Sequence, residues 1–360
     1  MRLVTTIRGT LPVMVLALLA WGASAPASAE GGGTRAGGDD APTAFVPCGD
    51  AAALVTAVGQ VAASGGTVAL AAGCAYTLTS VAATGANGAD GLPVITGNVA
   101  IVGTGSTIRR SASAPDFRIA EVAPGGRLSV SGVTLSGGRA VDGAGILDAG
   151  DLTLQRSAVT TSVASGVGGG VQVAPGATAT FSLSHLSGNS ANDGGGVHVG
   201  TGASLTVNSS TLSDNTADST GGAIANWGNS TLSAAVIETN HTTNFEGGGI
   251  WTSLGNMTFN GGRIIGNTAG SSGAGIANFG STLHLQATAV SGNVATLNGG
   301  GLFSHAGNTQ IVGANITGNT AHGGQGGGIF SDGGSVSLIA TNVTGNNPNN
   351  CVPALAGCAT

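Results

Sequence analysis

The sequence contains no lysine, and only 7% of its 360 residues are charged. The formal charge of −6 leaves no basic footprint for nucleic acid. Helix-forming stretches are scarce as well: 67 residues are glycine, and each costs a helix interior about 1 kcal/mol relative to alanine. A helical globular domain is thereby excluded. Low charge and much glycine also describe disordered chains, but a hydrophobic content of 41% argues against disorder. Aromatic residues make up 3% of the chain, so where they fall carries information.

The N-terminus has the pattern of an export signal. MRLVTTIR carries two arginines, LPVMVLALLAW (11–21) is an apolar run, and Ala27-Ser28-Ala29 matches a small-residue cleavage site. The run is shorter than the ~20 residues of a membrane span, so no stable span is expected after cleavage. Residues 1–29 are expected to be a signal peptide, 30–45 a flexible leader and 46–360 a single domain released outside the cell. The cysteines fit that compartment. Cys48 and Cys74 flank one element, and Cys351 and Cys358 lie close together near the C-terminus. Four cysteines allow three pairings, and the two local bridges are expected. A zinc site would need ligands from opposite ends of the chain.

The rest of the sequence is a repeat. Glycine runs are followed by one aliphatic residue at Ile146, Val171, Val197, Ile224, Ile250, Ile276, Leu302 and Ile329, with separations of 25, 26, 27, 26, 26, 26 and 27. Asparagines recur in step at Asn189, Asn215, Asn240, Asn267, Asn293, Asn319 and Asn346. A period in this range marks a solenoid. Short alternating runs such as SLTV (204–207) and STLHL (281–285) read as strands.

Each period therefore holds about three short strands. Stacked in register, the periods form an all-β, right-handed parallel β-helix of about ten coils over residues 66–346. The aliphatic ladder fills the tube, glycines occupy bends where positive φ or close backbone approach excludes a side chain, and asparagines stack their amides at another bend. Extending the ladder backwards by the same spacing adds Ile119 and Val94. Exposed strand edges need caps. Asp50 is placed to N-cap a helix over about 50–63, with Leu54, Val58, Val61 and Ala62 on one face, and residues 347–360 form a C-terminal cap tied by a disulfide.

The cap helix followed by GGTVALAAGCAYTLT (65–79) resembles the entry to pectin lyase-like β-helices. GGAI (221–224) and the LxxN turns at Leu186–Asn189 and Leu212–Asn215 resemble the GGAI and FxxN repeats of chlamydial polymorphic outer membrane proteins, with leucine in place of the aromatic. The mature chain is also similar to secreted bacterial β-helix repeat proteins. This resemblance covers about residues 46–358 and implies the fold. It also implies that polysaccharide lyase or hydrolase chemistry is one activity to consider. Such chemistry needs clustered carboxylates with an arginine base, or aspartates in the middle of one strand face; lysine, often recruited by lyases, is absent.

Two groups of residues are candidates for function. Glu121 and Asp148 each follow a ladder aliphatic by two residues, which predicts stacked carboxylates on adjacent coils near Arg118 and Arg127. The readings are an exposed column neutralised by arginine, a Ca2+ site, or a catalytic acid/base pair assisted by Arg118. The other group is aromatic. The residue after each ladder aliphatic points outward, giving the column Gln172, His198, Ala225, Trp251, Ala277, Phe303 and Phe330. A second column, two residues further on, holds Trp227, Ser253, Phe279, His305 and Asp332. Trp227, Trp251, Phe279, Phe303 and Phe330 thus form one outer strip. Such rings either bind sugar rings or another protein, or pack over the sheet. The expectation is a non-enzymatic, secreted protein that binds an extracellular polysaccharide or a cell-surface component. The alternatives are a polysaccharide-cleaving enzyme and a structural protein with no ligand; the sequence leaves the oligomeric state open.

Overall fold

The computed structural model describes residues 43–358; the expected signal peptide and most of the expected leader lie outside them. The chain is a right-handed parallel β-solenoid of about 12 turns. One coil shows how the repeat builds it. Ile224–Asn226 forms the first strand, Asn229–Ser233 the second, Val236–Glu238 the third and His241–Thr242 the fourth. Stacked over the coils, these strands make four faces, called A to D in that order. Four strands per coil replace the expected three, because a two-residue strand is too short to show alternation in a sequence. Faces A and D are sheets of ten and eight strands, while B and C merge into one sheet through the long strands Asn98–Arg110 and Arg127–Ser136.

The two ladders seen in the sequence are the two spines of the tube. Ile146, Val171, Val197, Ile224, Ile250, Ile276, Leu302 and Ile329 pair coil to coil on face A, all buried. The glycine before each strand is needed for two reasons. Gly221 adopts φ +66°, and a Cβ on Gly249 would lie 2.7 Å from the Gly275 carbonyl oxygen of the next coil. The asparagines line the bend between faces C and D. Asn267 donates Nδ2–H to Asn293 Oδ1 (2.9 Å) and to the Ile237 carbonyl (3.0 Å), while its Oδ1 accepts from the Asn240 backbone N–H (2.9 Å) and Nδ2–H (3.0 Å). The left-handed residue at this bend is the one before the asparagine, such as Gly266 (φ +65°) or Asp214 (φ +55°). The asparagine supplies hydrogen bonds, and its neighbour supplies the turn.

Both ends are covered. Asp50 Oδ1 accepts from Ala53 N–H (2.8 Å) and caps helix α1 (Ala51–Val61), whose Leu54, Ala57, Val58 and Val61 are buried against the first coils. The Cys48–Cys74 and Cys351–Cys358 disulfides are both present. The second ties a segment whose Leu355 and Cys358, like Val336 and Leu338 of the last coil, pack against the core.

Three sequence expectations are corrected. The expected leader ends early: Thr43–Val46 is already a strand, paired with Gly66–Leu70, and Val46 is buried. With that layer the stack on face B has twelve levels rather than ten. At the N-terminal end the ladder is out by one residue. Ala120, not Ile119, pairs with Ile146, and the Ile95–Val122 bridge sets Val94 opposite Glu121 instead of Ile119.

Candidate ligand-binding face

The one-residue shift separates the two candidate carboxylates. Glu121 pairs with Leu147 and Asp148 with Val122, so alternation sends Glu121 outward and Asp148 into the tube. They neither stack nor share a cation site, which removes the carboxylate pair on which the Ca2+ and acid/base readings depended. Nor do they form an exposed column, since both are buried.

Asp148 sits at the corner between faces A and B, between Val122 and Val173 of the adjacent coils. Its Oδ1 accepts from Gly150 N–H (3.0 Å), and Oδ2 has no partner. Burial among apolar side chains pushes its carboxyl up to about 7.

Glu121 belongs to a clamp. Arg118, 1% exposed, donates from one Nη to Asp90 Oδ1 (2.9 Å) and Glu121 Oε2 (2.8 Å), and from the other to the Asn87 carbonyl (2.6 Å). Asn87 Nδ2–H returns to Glu121 Oε1 (2.8 Å). Asn87 and Asp90 lie on an antiparallel hairpin, Ala83–Gly85 with Gly88–Asp90, so the clamp holds this hairpin against the early coils. Burial raises the Asp90 carboxyl to about 6, against the lowering effect of Arg118. The Asn87-Gly88 dipeptide is a hairpin signal in the sequence. The flanking strands are three residues each and weakly patterned, which hides the motif, and with it the roles of Asn87 and Asp90.

The hairpin overhangs one end of face A. Below it lies a cleft of about 830 Å³ lined by Glu121, Leu147, Gln172, Val141 and the prolines Pro124 and Pro175, among others. Glu121, Leu147, Gln172 and His198 are successive outward residues of one column. The column continues through Ala225, Trp251, Ala277, Phe303 and Phe330. Cleft and aromatic strip are therefore two parts of one face.

The strip is a continuous run of rings. Centroid separations are 4.8 Å for His198–Trp227, 4.5 Å for Trp227–Trp251, 6.0 Å for Trp251–Phe279, 5.5 Å for Phe279–Phe303 and 5.8 Å for Phe303–Phe330. The two columns interleave: Trp227 and Phe279 lean over Ala225 and Ala277, which are fully buried. All five aromatic residues are half-buried. Packing and presentation are thus both satisfied. The rings brace one another, and each keeps part of its surface toward solvent. Burial lowers the His198 ring to about 4, so it is neutral at pH 7.

A polar network inside the tube holds the corner from which Trp227 and Phe279 project. Asn226 donates to Thr252 Oγ1 (3.0 Å) and accepts from Ser230 (2.8 Å); Thr252 Oγ1–H reaches Ser281 Oγ (3.2 Å), and Asn278 donates to Thr309 Oγ1 (3.0 Å). A satisfied buried network of this kind fixes the corner geometry, and with it the ring positions. Leu254, 83% exposed with φ +60°, stands beside Ser253, the gap between Trp227 and Phe279 in the second column. The sequence gives no sign of it, because Leu at an αL position breaks the usual turn chemistry.

Among the described residues no group of three or more His, Cys, Asp or Glu side chains could hold a metal ion, and no helix is long and apolar enough to cross a membrane. No protein-family model matches the chain, and comparison with curated proteins returns no match.

Proposed function

We propose that the protein is secreted and that face A binds an extracellular polysaccharide or a glycan of a cell surface, without cleaving it. The observation that carries this reading is the unbroken file of half-exposed rings from Trp227 to Phe330. Flat apolar rings suit the apolar faces of pyranose units, and the strip spans four coil steps, ~19 Å at the strand spacing. The two disulfides and the N-terminal signal pattern support an extracellular setting. A place among the pectin lyase-like β-helices, with GGAI and LxxN turns like those of the polymorphic outer membrane proteins, agrees with this setting.

One observation favours a second reading, a polysaccharide lyase or hydrolase. Asp90 and Glu121 share one arginine next to the cleft, and Asp90 has a raised pKa. Both carboxylates are enclosed by the hairpin and engaged by Arg118, which suits a clamp better than proton transfer to a bound chain.

Incubation with a panel of acidic and neutral glycans separates the readings. Retention with no new reducing ends or unsaturated products is expected. Cleavage that is lost in Glu121→Gln would establish the enzyme instead. Neither retention nor cleavage would leave a structural protein.

A further inference from the structure

We infer that the ligand of face A is an uncharged, unbranched polysaccharide whose chain runs the length of the face, from Phe330 into the cleft beneath the 83–90 hairpin. This rests on the glycan-binding reading above and adds the charge, the form and the course of the ligand.

Charge is the first argument. Three columns line the face: the ladder-plus-one column, the aromatic column beside it, and the residues preceding each glycine run. The third column is in register through backbone bonds such as Gly168 N–H to Asp193 O, Gly221 N–H to Glu246 O and Gly273 N–H to Asn298 O. Across these columns the charged side chains are Glu121, Asp142, Asp193, Glu246 and Asp332, with no lysine or arginine among the described residues. Only Glu121 has an arginine partner there, through Arg118. The exposed arginines that pair elsewhere, Arg127, Arg139 and Arg263, lie on faces B, D and C. A polyuronate or other polyanion lying along this face would meet Asp142, Asp193 and Glu246 with no ion-pair partner among the described residues, and Asp332 with only the His305 ring, 3.0 Å away. An uncharged hexose or N-acetylhexosamine chain meets rings, amides and hydroxyls.

Form and course follow from geometry. The aromatic file is two side-chain columns wide, about 7 Å given the strand rise per residue. That is the width of one chain and leaves no second platform for a branch. The ladder-plus-one column passes without interruption from Phe330 through Trp251 and His198 to Gln172 and Leu147. Its eight coil steps from Phe330 to Glu121 cover about 38 Å. Along the aromatic column the bulky residues give way to Gly200, Ala174, Ala149 and Ala123, which opens the cleft on the same line. Gln172 Oε1 and His198 Nδ1, adjacent at this junction, have no hydrogen-bond partner within the protein.

The test is titration of the full-length, disulfide-bonded protein with cellohexaose, chitohexaose, mannohexaose, xylohexaose and laminarihexaose, and with polygalacturonate and alginate, at 0.05 and 0.5 M NaCl. Binding to at least one neutral probe is expected, changed less than twofold by salt and weakened at least tenfold in Trp227→Ala/Trp251→Ala. For the neutral probe that binds, affinity should rise at least threefold from hexamer to polymer. Ala149→Trp, which fills the cleft, should remove that gain. Tryptophan-dependent binding of polygalacturonate or alginate alone would overturn this inference and leave the glycan-binding reading standing. Absence of binding to every probe would overturn both. Equal affinity of the parent protein for hexamer and polymer would overturn the course into the cleft, whether or not Ala149→Trp folds.

Discussion

Asp148 shows what one position in a stack decides. Counted from Ile119 it stacks beside Glu121; in the observed register it pairs with Val122 inside the tube, and Glu121 turns outward beside Leu147. The folded protein holds its proton up to about pH 7, whereas the ordinary carboxyl value is 3.8. The unfolded chain therefore releases that proton first. The stability Asp148 contributes is present below about pH 4 and is lost as pH rises toward 7, by up to about 4 kcal/mol. Asp148→Asn keeps an acceptor for Gly150 N–H and carries no charge. It is expected to raise the melting temperature at pH 8 and to change it little at pH 4. An equal effect at both pH values would show that Asp148 is not a buried carboxyl. His198 works in the opposite sense: its depressed pKa contributes stability above about pH 6.5 that is lost as pH falls toward 4. The pH dependence should therefore be read as a difference between variant and parent. Leu254 is a second single-residue case. Replacing it with glycine relieves an αL leucine and should hold or raise the melting temperature by a degree or two. If the exposed side chain contributes to the ligand surface, the same change weakens glycan retention; unchanged retention would assign Leu254 no part in binding.

At the scale of elements, the asparagine ladder and the disulfide-tied cap each make a separately testable contribution to stability. Asn267→Leu leaves the Ile237 carbonyl, the Asn293 Oδ1 and the Asn240 donors short of partners inside the wall. The cost expected is about 3 kcal/mol or more. Asn256, an exposed residue whose side-chain amide donates to Asn229 Oδ1, is the control, and Asn256→Ala should be nearly neutral. Similar thermal melts for the two variants would contradict the ladder's role. The Cys48–Cys74 bridge closes a separation of 26 residues and is worth ~3 kcal/mol on the chain-entropy model. Reduction, or Cys48→Ala/Cys74→Ala, should expose the first coils and α1 to protease before the later coils. Uniform digestion along the chain would count against a local cap.

At the scale of the whole molecule, the fold was legible because the solenoid repeats one decision many times. A glycine run, an inward aliphatic and an asparagine turn recur at nearly one period, so an error at one coil is outvoted by the others. The register at Ile224, Ile250, Ile276 and Leu302 could be read without a structure for this reason. The aromatic columns followed from it by alternation alone. The clamp of Asp90, Arg118 and Glu121 was illegible, because its hairpin is inserted between coils and belongs to no repeat. The shift at Ala120 was missed where the glycine run that marks the ladder is absent. The fourth strand escaped because two residues carry no period. The cleft depends on both the hairpin and the corrected register, so only the aromatic half of the face was visible in the sequence.

On the proposed reading, the half-buried rings of face A serve a ligand and not only the wall they cover. The most direct measurement is a paired one on Trp227→Ala/Trp251→Ala: the melting temperature, and retention on an immobilised glycan that holds the parent protein. The rings brace one another but the tube interior lies beneath them, so a loss well below the ~3 kcal/mol typical of one truncated core aromatic is expected. Retention should fall at least tenfold. A variant that melts far below the parent, or one that stays as stable and is retained as well, would contradict the claim.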